Sequence, residues 1–317
     1  MSGADGPPLV TGGAGFIGSH LVDALIAGGA RPLAVDLPSA WTSSRNLDAQ
    51  AGRFEPIGLD LAADGIAAVV AERRPSVIFH LCGQASVPAS VREPLRDYEA
   101  NLRATLHVLE AVRHGSPESA VLLTSSAAVY GEGRGVAFKE DDPVRPMAPY
   151  AVSKLAAESY LALYAQMYGL RTASLRLFPT FGPRVQSHVV YDLMRKIRDN
   201  PREIVIEGDG RQVRDFVYVS NTVRALTLVA AGGELRGEVY NVGAGEPVTI
   251  TRLAELLCDR MGASPRFTYT GTVGPGVSVS WIADTTRLAA LGYEPAVSLG
   301  EGLTRTVQWF VSSTPGR

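Results

Sequence analysis

Short apolar runs alternate with longer stretches of helical periodicity through the first half of the chain. The apolar runs predict strands over 8–11, 32–36, 54–59, 76–82, 120–126 and 171–178. The amphipathic stretches predict helices over 17–27, 65–73, 94–114 and 150–168. Continuously apolar strands that alternate with helices are typical of a parallel sheet covered on both faces. We therefore expect an α/β fold built on a doubly wound parallel sheet.

The pattern becomes less regular after Phe178, where glycine and proline punctuate shorter elements. We interpret 1–178 as one domain and 179–317 as a smaller mixed α/β lobe, some of whose segments return to the large domain. A cleft between the two is the expected place for a ligand, because open α/β sheets bind ligands beyond the carboxyl ends of their strands.

The first predicted strand runs directly into a glycine-rich turn. Gly12, Gly15 and Gly18 follow the strand and open a helix, and Asp36 ends the second strand. Glycine permits the tight turn and lets a pyrophosphate approach the first amides of the helix. An acid at position 36 suits the ribose 2′-hydroxyl and repels a 2′-phosphate, which predicts NAD rather than NADP. For Asp60, a contact with the adenine and a helix cap before Leu61 are both open.

A second group of candidate residues lies farther along the chain. Tyr150 and Lys154 are four residues apart on a strong helical pattern, so their side chains share one face of the helix. A tyrosine with a pKa near 10 becomes a useful proton acceptor only when a nearby positive charge favours the phenolate. The hydroxyls of Thr124, Ser125 and Ser126 end another predicted strand and complete a candidate catalytic group.

Composition excludes several other classes of protein. The 317 residues are 46% hydrophobic and 20% charged with a net charge of −2, which argues against disorder, nucleic acid binding and an anionic membrane partner. Cys82 and Cys258 lie far apart, and His80, His107, His114 and His188 show no metal-ligand spacing, so we expect no metal. The N-terminus lacks the pattern of a signal peptide and no stretch is long enough to span a bilayer, which predicts a cytoplasmic protein.

These motifs together resemble the extended short-chain dehydrogenase/reductase family, in its NAD-dependent nucleotide-sugar epimerase and dehydratase branch. The resemblance is carried by TGGAGFIGSHLV at 11–22, HLCGQASVPASVREP at 80–94, NLRATLHVLEA at 101–111, TSSAAVYG at 124–131, PYAVSK at 149–154, LRLFPTFGPR at 175–184 and VRDFVYV at 213–219. It implies a Rossmann-type fold and catalysis by Ser126, Tyr150 and Lys154. It also implies a homodimer paired through the helices at 94–114 and 150–168.

The resemblance also implies two sets of binding residues. Around NAD it places Gly12, Gly15, Phe16, Ile17, Gly18, Asp36, Asp60, Leu61, Leu81, Cys82, Gly83, Asn101, Thr124, Tyr150, Lys154 and Phe178. Around the nucleotide sugar it places Gln84, Ser125, Ser126, Tyr150, Pro179, Thr180, Arg184 and Arg214, of which Arg214 meets the diphosphate. Tyr130 is expected to be a packing residue.

The strand-end motif distinguishes between the reactions of this family. Dehydratases and decarboxylases of the family carry acids where this chain has Ala127 and Ala128, which cannot exchange a proton. The resemblance therefore implies 4-epimerisation of a UDP-hexose or UDP-hexuronate, such as UDP-glucose or UDP-glucuronate, through a transient 4-keto sugar. Alternatives are a dehydratase, decarboxylase or 4-keto reductase acting on a UDP-, GDP- or dTDP-sugar, and a non-catalytic NAD-sensing protein.

Two departures from the family concern the substrate site. Pro179 stands where the epimerases usually have Asn, and Gly274 stands where they usually have an arginine that grips the diphosphate. Arg184 is one candidate to replace that arginine, and a different nucleotide is the other explanation. Neutral hydroxyls at 124–126 suit either a hydroxymethyl group or a C6 carboxylate. The charged run at 139–142 is expected to be a solvated loop.

Overall fold

The computed structural model describes residues 5–63, 65–133, 135–272, 274 and 278–313. The strands are β1 (Leu9–Thr11), β2 (Leu33–Asp36), β3 (Glu55–Gly58), β4 (Val77–His80), β5 (Ala120–Ser126), β6 (Arg171–Leu177), β7 (Thr180–Phe181), β8 (Glu203–Ile206), β9 (Val213–Asp215), β10 (Val217–Tyr218), β11 (Arg236–Val242), β12 (Pro247–Thr249), β13 (Arg266–Tyr269) and β14 (Ser280–Trp281).

The α-helices are α1 (Phe16–Ala27), α2 (Pro38–Ser43), α3 (Ile66–Arg73), α4 (Val87–Arg92), α5 (Pro94–Tyr98), α6 (Ala104–Gly115), α7 (Pro149–Tyr168), α8 (His188–Asp199), α9 (Val219–Gly232), α10 (Ile250–Met261), α11 (Thr286–Ala289) and α12 (Leu299–Ser313). Short 3₁₀ turns cover Asp48–Gln50 and Ala127–Tyr130, and a π-helical turn covers Glu99–Arg103.

The predicted doubly wound parallel sheet is confirmed. Seven strands pair in the order β11-β6-β5-β4-β1-β2-β3, and every pairing is parallel. All six predicted strands lie in this sheet, with ends that differ from the prediction by at most two residues. Because the strands are parallel, their carboxyl ends at Thr11, Asp36, His80 and Ser126 share one edge of the sheet.

Helices cover both faces of the sheet, as the continuously apolar strands predict. Successive residues of a strand point to opposite faces. Leu122 accordingly packs in a buried cluster with residues of α1 and α9, whereas Val121 packs in a second cluster with residues of α3, α6 and α7.

The helix expected over 94–114 is confirmed, and it contains a π-helical turn that the sequence does not predict. The π-helical turn at Glu99–Arg103 joins α5 to α6. Within it, the Asn101 side chain reaches back to Asp97 with an Nδ2–Oδ1 distance of 3.0 Å. A π-helical turn accommodates one more residue than an α-helical turn, so it changes which side chains share a face. Apolar periodicity alone does not reveal this polar contact.

The second half of the chain has its own core and also contributes to the large sheet. Helices α8, α10 and α12 bury Met194, Leu253 and Leu303 in one apolar cluster beside the short strands. Strand β11 pairs with β6 at the edge of the large sheet, and α9 packs against α1. The chain therefore returns to the large sheet after it has begun the second lobe.

Candidate active site

A large cleft of about 1460 Å³ runs along the carboxyl edge of the sheet and between the two lobes. One end lies against the glycine turn, the middle against Ser126 and Tyr150, and the other end against α8 and β9. The cleft contains all of the sequence-predicted site residues except Asn101 and Arg184.

The glycine turn fits a dinucleotide for steric reasons. Gly12 has a φ of 70°, and its carbonyl oxygen accepts a hydrogen bond from the Gly15 amide at 3.1 Å. A Cβ on Gly18 would lie only 2.0 Å from that same oxygen. Helix α1 can thus begin directly beneath the turn, with its first amides at the cleft. Gly12, Gly15, Phe16, Ile17 and Gly18 all line the cleft.

Asp36 is held in place at the end of β2. One carboxylate oxygen accepts a hydrogen bond from the Ala14 amide at 3.1 Å and the other from the Leu37 amide at 2.8 Å. Burial raises the pKa of this carboxyl, and the two amides partly offset that rise. The acid therefore faces the cleft in a fixed orientation, where it suits a ribose hydroxyl.

Asp60 makes a turn and does not cap a helix. Its Oδ1 accepts a hydrogen bond from the Ala62 amide at 2.9 Å, and the next helix begins only at Ile66. The helix-cap alternative is therefore wrong, while both Asp60 and the buried Leu61 line the cleft.

The loop after β4 provides the floor of the cleft. The Thr11 Oγ1 accepts hydrogen bonds from the amides of Leu81 and Cys82, each at 3.1 Å. Burial raises the pKa of the Cys82 thiol to about 11, so this thiol is neutral at physiological pH. Gly83 also lines the cleft, and a Cβ on it would lie 2.3 Å from Asn101 Oδ1.

Asn101 lies behind this floor and not in the cleft itself. Its amide nitrogen donates to the Gln84 carbonyl at 3.1 Å and to Asp97. Gln84 lines the cleft, and its side chain is folded onto Ser86 through two hydrogen bonds. Asn101 is therefore positioned to hold the loop, whereas a direct cofactor contact is not visible in the geometry.

Ser126, Tyr150 and Lys154 converge in the middle of the cleft. Ser126 ends β5 and accepts the Ala128 amide at 3.2 Å, which caps the 3₁₀ turn that follows. Tyr150 and Lys154 lie on the first two turns of α7, and both are buried. The Ser126 hydroxyl is also a hydrogen-bond partner of the Tyr150 phenol.

Burial controls the protonation of the Tyr150–Lys154 pair in the ligand-free chain. It raises the pKa of Tyr150 to about 12, which the Ser126 hydrogen bond partly offsets and the Asp97 charge increases. Burial also lowers the pKa of Lys154 to about 8. The expectation that Lys154 lowers the Tyr150 pKa is not visible here, because desolvation dominates. An additional positive charge beside Tyr150 is needed to favour its phenolate.

The three hydroxyls at the end of β5 have different environments. Thr124 Oγ1 donates to the His80 carbonyl of the neighbouring strand at 3.2 Å, so it also joins two strands. Ser125 Oγ is buried and has no partner among the described residues. Of these three hydroxyls, that of Ser126 is the hydrogen-bond partner of Tyr150.

The region that follows β6 forms the far wall of the cleft. Phe178 is buried in an apolar cluster with Tyr130. The Pro179 carbonyl accepts the Val217 amide at 2.9 Å, and Thr180 Oγ1 hydrogen-bonds Phe178 O and Thr222. Proline at 179 thus keeps the backbone contact but offers no side-chain donor to a ligand.

Arg214 is a buried cation at the cleft. Its guanidinium donates to the carbonyls of Val213 and Ser278 at 2.8 and 2.6 Å and stacks 4.7 Å above the Trp281 ring. Burial lowers the pKa of Arg214 to about 10, so it remains charged at neutral pH. Within the described parts of the chain no carboxylate forms an ion pair with it. Such a cation suits an anionic ligand group.

Arg184 is directed elsewhere. Its guanidinium pairs with Asp23 on α1 at 2.7 Å and donates to Ser19 Oγ at 3.2 Å. Gly274 is exposed and has nothing within 4 Å of the position where its Cβ would lie. The structure therefore does not bring Arg184 into the cleft as a replacement for the arginine that the family carries at 274.

Trp281 and Asp97 are two of the cleft residues that the sequence-predicted set lacks. Trp281 packs against Ala128 and Tyr150 and donates its indole N–H to the Gly131 carbonyl at 2.9 Å. Asp97 is buried behind Tyr150 and bonded to Ser153. Trp281 is distant in sequence and gives no local signal, whereas the four-residue spacing of Asp97 and Asn101 on a helical pattern is a signal that the sequence does contain.

Two kinds of feature are absent from the described residues. These residues contain no cluster of three or more histidine, cysteine and acidic side chains that is arranged to hold a metal. None of the helices that the structure describes combines the length and apolar character needed to cross a bilayer.

The fold and the site together define a dinucleotide-binding protein with a serine–tyrosine–lysine group. The family model of the NAD dependent epimerase/dehydratase family matches residues 8–243, so the chain belongs to that family. The predicted family resemblance and the predicted fold are both confirmed.

Known proteins that resemble the chain along nearly its whole length include nucleotide-sugar 4-epimerases and dTDP-glucose 4,6-dehydratases. A UDP-glucose 4-epimerase of Mycolicibacterium smegmatis is 34% identical over 95% of this chain and 97% of its own length. The structure of a Thermotoga maritima UDP-glucose 4-epimerase with UDP-glucose gives a TM-score of 0.88 at 35% identity, over 96% of this chain and 99% of that one. A Thermus thermophilus UDP-glucose 4-epimerase in complex with NAD gives 0.87 at 32% identity, over 97% and 99% of the two chains. NAD is accordingly the cofactor of the family and fits the glycine turn and Asp36 described above.

Proposed function

We propose that this protein is an NAD-dependent 4-epimerase of a nucleotide sugar, with a UDP-hexose or UDP-hexuronate as its substrate. The observation that carries the proposal is the meeting of Ser126, Tyr150 and Lys154 in the cleft, directly beside two alanines. The similarity to UDP-glucose 4-epimerases over the full chain supports the same reaction.

Tyr150 exchanges the proton of the sugar 4-hydroxyl, and Ser126 orients both groups. The Ser126 hydroxyl and the Tyr150 phenol face each other in the cleft, and this is where we place the substrate hydroxyl. When bound, NAD supplies the acceptor and donor of hydride at sugar C4. Lys154 is mostly protonated below pH 8, and we expect its charge to favour the Tyr150 phenolate together with the positive charge that a bound oxidised nicotinamide would add.

The wall beside Tyr150 favours epimerisation over elimination or decarboxylation. Ala127, Ala128 and Trp281 present apolar surface there. None of these three side chains has a carboxyl group that could take a proton from C5 or protonate a leaving hydroxyl. The 4-keto sugar is therefore expected to turn over and accept hydride on its other face.

Arg214 is our candidate for the substrate diphosphate. Its guanidinium is fixed by backbone carbonyls and by Trp281, so little side-chain entropy is lost when an anion binds. With Pro179 and Gly274 in place of the usual Asn and Arg, we expect Arg214 to carry more of this binding than its counterparts do.

The decisive experiment is product analysis on a panel of sugar nucleotides. We would incubate the NAD-loaded protein with UDP-glucose, UDP-glucuronate, dTDP-glucose and a GDP-hexose and follow each by proton NMR. The C4-epimer of a UDP-sugar is expected, and Tyr150→Phe should lower its rate at least ~100-fold. Tyr160→Phe, on the same helix and 36% exposed at the surface, is the matched control. Release of water or CO₂ would identify a dehydratase or decarboxylase, and binding of NAD with no product from any sugar would favour a sensor.

We also propose a homodimer, supported by an exposed apolar surface on α5 and α7. Leu95, Val152 and Met167 are 79%, 53% and 61% exposed on these two helices. Isolated apolar residues at a surface are common, but several on adjacent helices indicate an interface. Leu95→Glu combined with Val152→Glu should give a monomer in sedimentation, whereas Val311→Glu, 62% exposed on α12, should not. A wild-type monomer at micromolar concentration would contradict the proposal.

We propose a cytoplasmic location from the state of the two cysteines. Cys82 and Cys258 are both free thiols, which is usual for proteins of a reducing compartment.

A further inference from the structure

Asp97 is a buried carboxylate immediately behind the catalytic pair. It lies on α5, is 0% exposed, and accepts a hydrogen bond from Ser153 Oγ at 2.7 Å and another from Asn101 Nδ2 at 3.0 Å. Ser153 precedes Lys154 and is three residues after Tyr150 on α7. The carboxylate thus links α5 and the π-helical turn to the helix that carries the proton-exchanging groups.

The two hydrogen-bond donors of Asp97 are both neutral. Among the described residues no cation forms an ion pair with it, and the positive charge that it senses is that of Lys154. A buried carboxylate without an ion-pair partner is costly, which makes Asp97 a candidate for a functional role. Neither proton exchange nor substrate binding as described above uses it.

Other titratable groups surround this centre. Arg96 on the same helix is exposed and paired with Glu93 at 3.3 Å. Around Lys154 lie the Cys82 thiol and Glu158, and His80 senses the Lys154 charge. Burial raises the pKa of Cys82 to about 11 and lowers that of His80 to about 3, so both are neutral at physiological pH. Glu158 is bound to Arg176 at 2.8 Å. Asp97 is therefore the anion near Lys154 whose charge is not neutralised by an arginine.

We propose that Asp97 is a positioning residue of the active site, which holds the Tyr150–Lys154 helix through Ser153 and Asn101 and whose negative charge sets the pH range of proton exchange. Only the kinetic test of this proposal rests on the proposed function. The charge acts in the same direction on both members of the pair. It raises the pKa of Tyr150 by disfavouring the phenolate, and it raises the pKa of Lys154 by favouring the ammonium. Removal of the charge should lower both pKa values.

The first test measures Tyr150 directly and needs no substrate. In the NAD complex of the full chain, the phenolate absorbance near 295 nm is titrated with pH, with the Tyr150→Phe protein as the blank. Asp97→Asn keeps an oxygen for Ser153 and removes the charge, and should lower the Tyr150 pKa by about 0.5–1 unit. Ser153→Ala keeps the charge and removes the link, and Glu72→Gln removes an exposed charge on α3, so neither should shift it downward.

The second test is the pH profile of kcat/KM with the substrate that the panel identifies. In this profile the acid limb reports the pKa of Tyr150 and the alkaline limb reports the pKa of Lys154. Asp97→Asn should move both limbs toward lower pH. Ser153→Ala should lower the rate about 10-fold and leave both limbs within ~0.2 unit. A purely structural role for Asp97 would lower the rate without moving the limbs.

The outcomes separate this proposal from the proposed function. A folded Asp97→Asn protein with an unchanged Tyr150 titration overturns the proposal, even if the wild type is an active epimerase. A shifted titration supports it, even if no sugar nucleotide is converted. If Asp97→Asn does not fold, Asp97→Ser is the second neutral variant. An unchanged Tyr150 titration in that protein overturns the proposal, and a shifted one supports it.

Discussion

The buried ion pair between Arg176 and Glu158 anchors the catalytic helix to the sheet. Arg176 lies on β6, and Glu158 lies one turn after Lys154 on α7. The Arg176 Nε donates to both Glu158 oxygens at 3.1 and 3.2 Å, and Nη2 donates at 2.8 Å. The two side chains are 6% and 5% exposed. Replacement of one partner therefore leaves the other charged and desolvated.

We expect Glu158→Leu to lower the free energy of unfolding by about 4 kcal/mol, because it leaves the buried Arg176 guanidinium charged and without its carboxylate. Arg176→Met should cost about 4 kcal/mol, since it also frees the Glu140 carbonyl, now bonded at 3.0 Å, and removes the stacking on Tyr130 at 4.7 Å. The double variant Glu158→Leu/Arg176→Met buries no charge and should lose only about 1–2 kcal/mol.

Equilibrium urea unfolding followed by tryptophan fluorescence measures these differences, with the slope m fitted for each variant. The three values form a double-mutant cycle, and we expect a coupling of at least ~3 kcal/mol between the two sites. Single substitutions that cost less than ~1 kcal/mol, or a double variant whose loss equals the sum of the singles, would refute the claim that the pair is a desolvated unit.

Three further predictions concern other parts of the molecule. Gly18→Ala should weaken NAD binding about 100-fold or more, because its Cβ would lie 2.0 Å from the Gly12 carbonyl oxygen. Gly28→Ala, at the other end of α1, is the control and should leave NAD binding unchanged, because its Cβ would lie 3.4 Å from the nearest atom. Calorimetry measures both affinities. The kcat/KM should fall on the alkaline side with a midpoint near pH 8, because Lys154 loses its proton there. Lys154→Arg should abolish this alkaline fall, since arginine keeps its charge. An alkaline fall that persists in the arginine variant would mean that another group is responsible. Tyr130→Phe should cost about 1–3 kcal/mol in urea unfolding, because it removes the 2.7 Å hydrogen bond to the buried Asn241 Oδ1; a loss below ~0.5 kcal/mol would mean that Asn241 finds another donor.

Most of the large sheet is predictable from the sequence because its central strands, β1, β2, β4, β5 and β6, are largely buried on both faces. A strand buried on both faces, such as β5, begins with a continuous apolar run. A helix that buries only one face shows apolar residues at intervals instead. The glycine turn is equally predictable, because Gly12 has a φ of 70° and Gly18 occupies a place where a Cβ would not fit. These signals are local, and the structure follows them closely.

Contacts between distant segments are not predictable in this way. Glu140 belongs to a charged run for which the sequence predicts a solvated loop, yet it is 9% exposed and accepts the Asn241 amide at 2.8 Å. That expectation is wrong for Glu140, because its partner is about a hundred residues away in the chain. Trp281 reaches the cleft for the same kind of reason, through the pairing of β14 with β9.

Arg184 shows that the direction of a side chain cannot be predicted from a motif. Its place after β7 in a family motif makes it a candidate for the diphosphate, but a motif gives a position along the chain and no direction for the side chain. Asp23 on α1 competes for the same guanidinium and binds it at 2.7 Å.

The return of the chain to the large sheet restricts how this protein can be recombined with its relatives. A chimera joined at residue 178 would separate β6 from β11, although these strands pair along six positions. It would also separate α1 from α9. A crossover after Gly243 keeps both pairs in one parental sequence, and the match to the family model ends at that same residue. The large sheet is therefore complete only with the segment up to residue 243, whereas the second core draws on α8 before that residue and on α10 and α12 after it, so neither crossover leaves both lobes in one parental sequence.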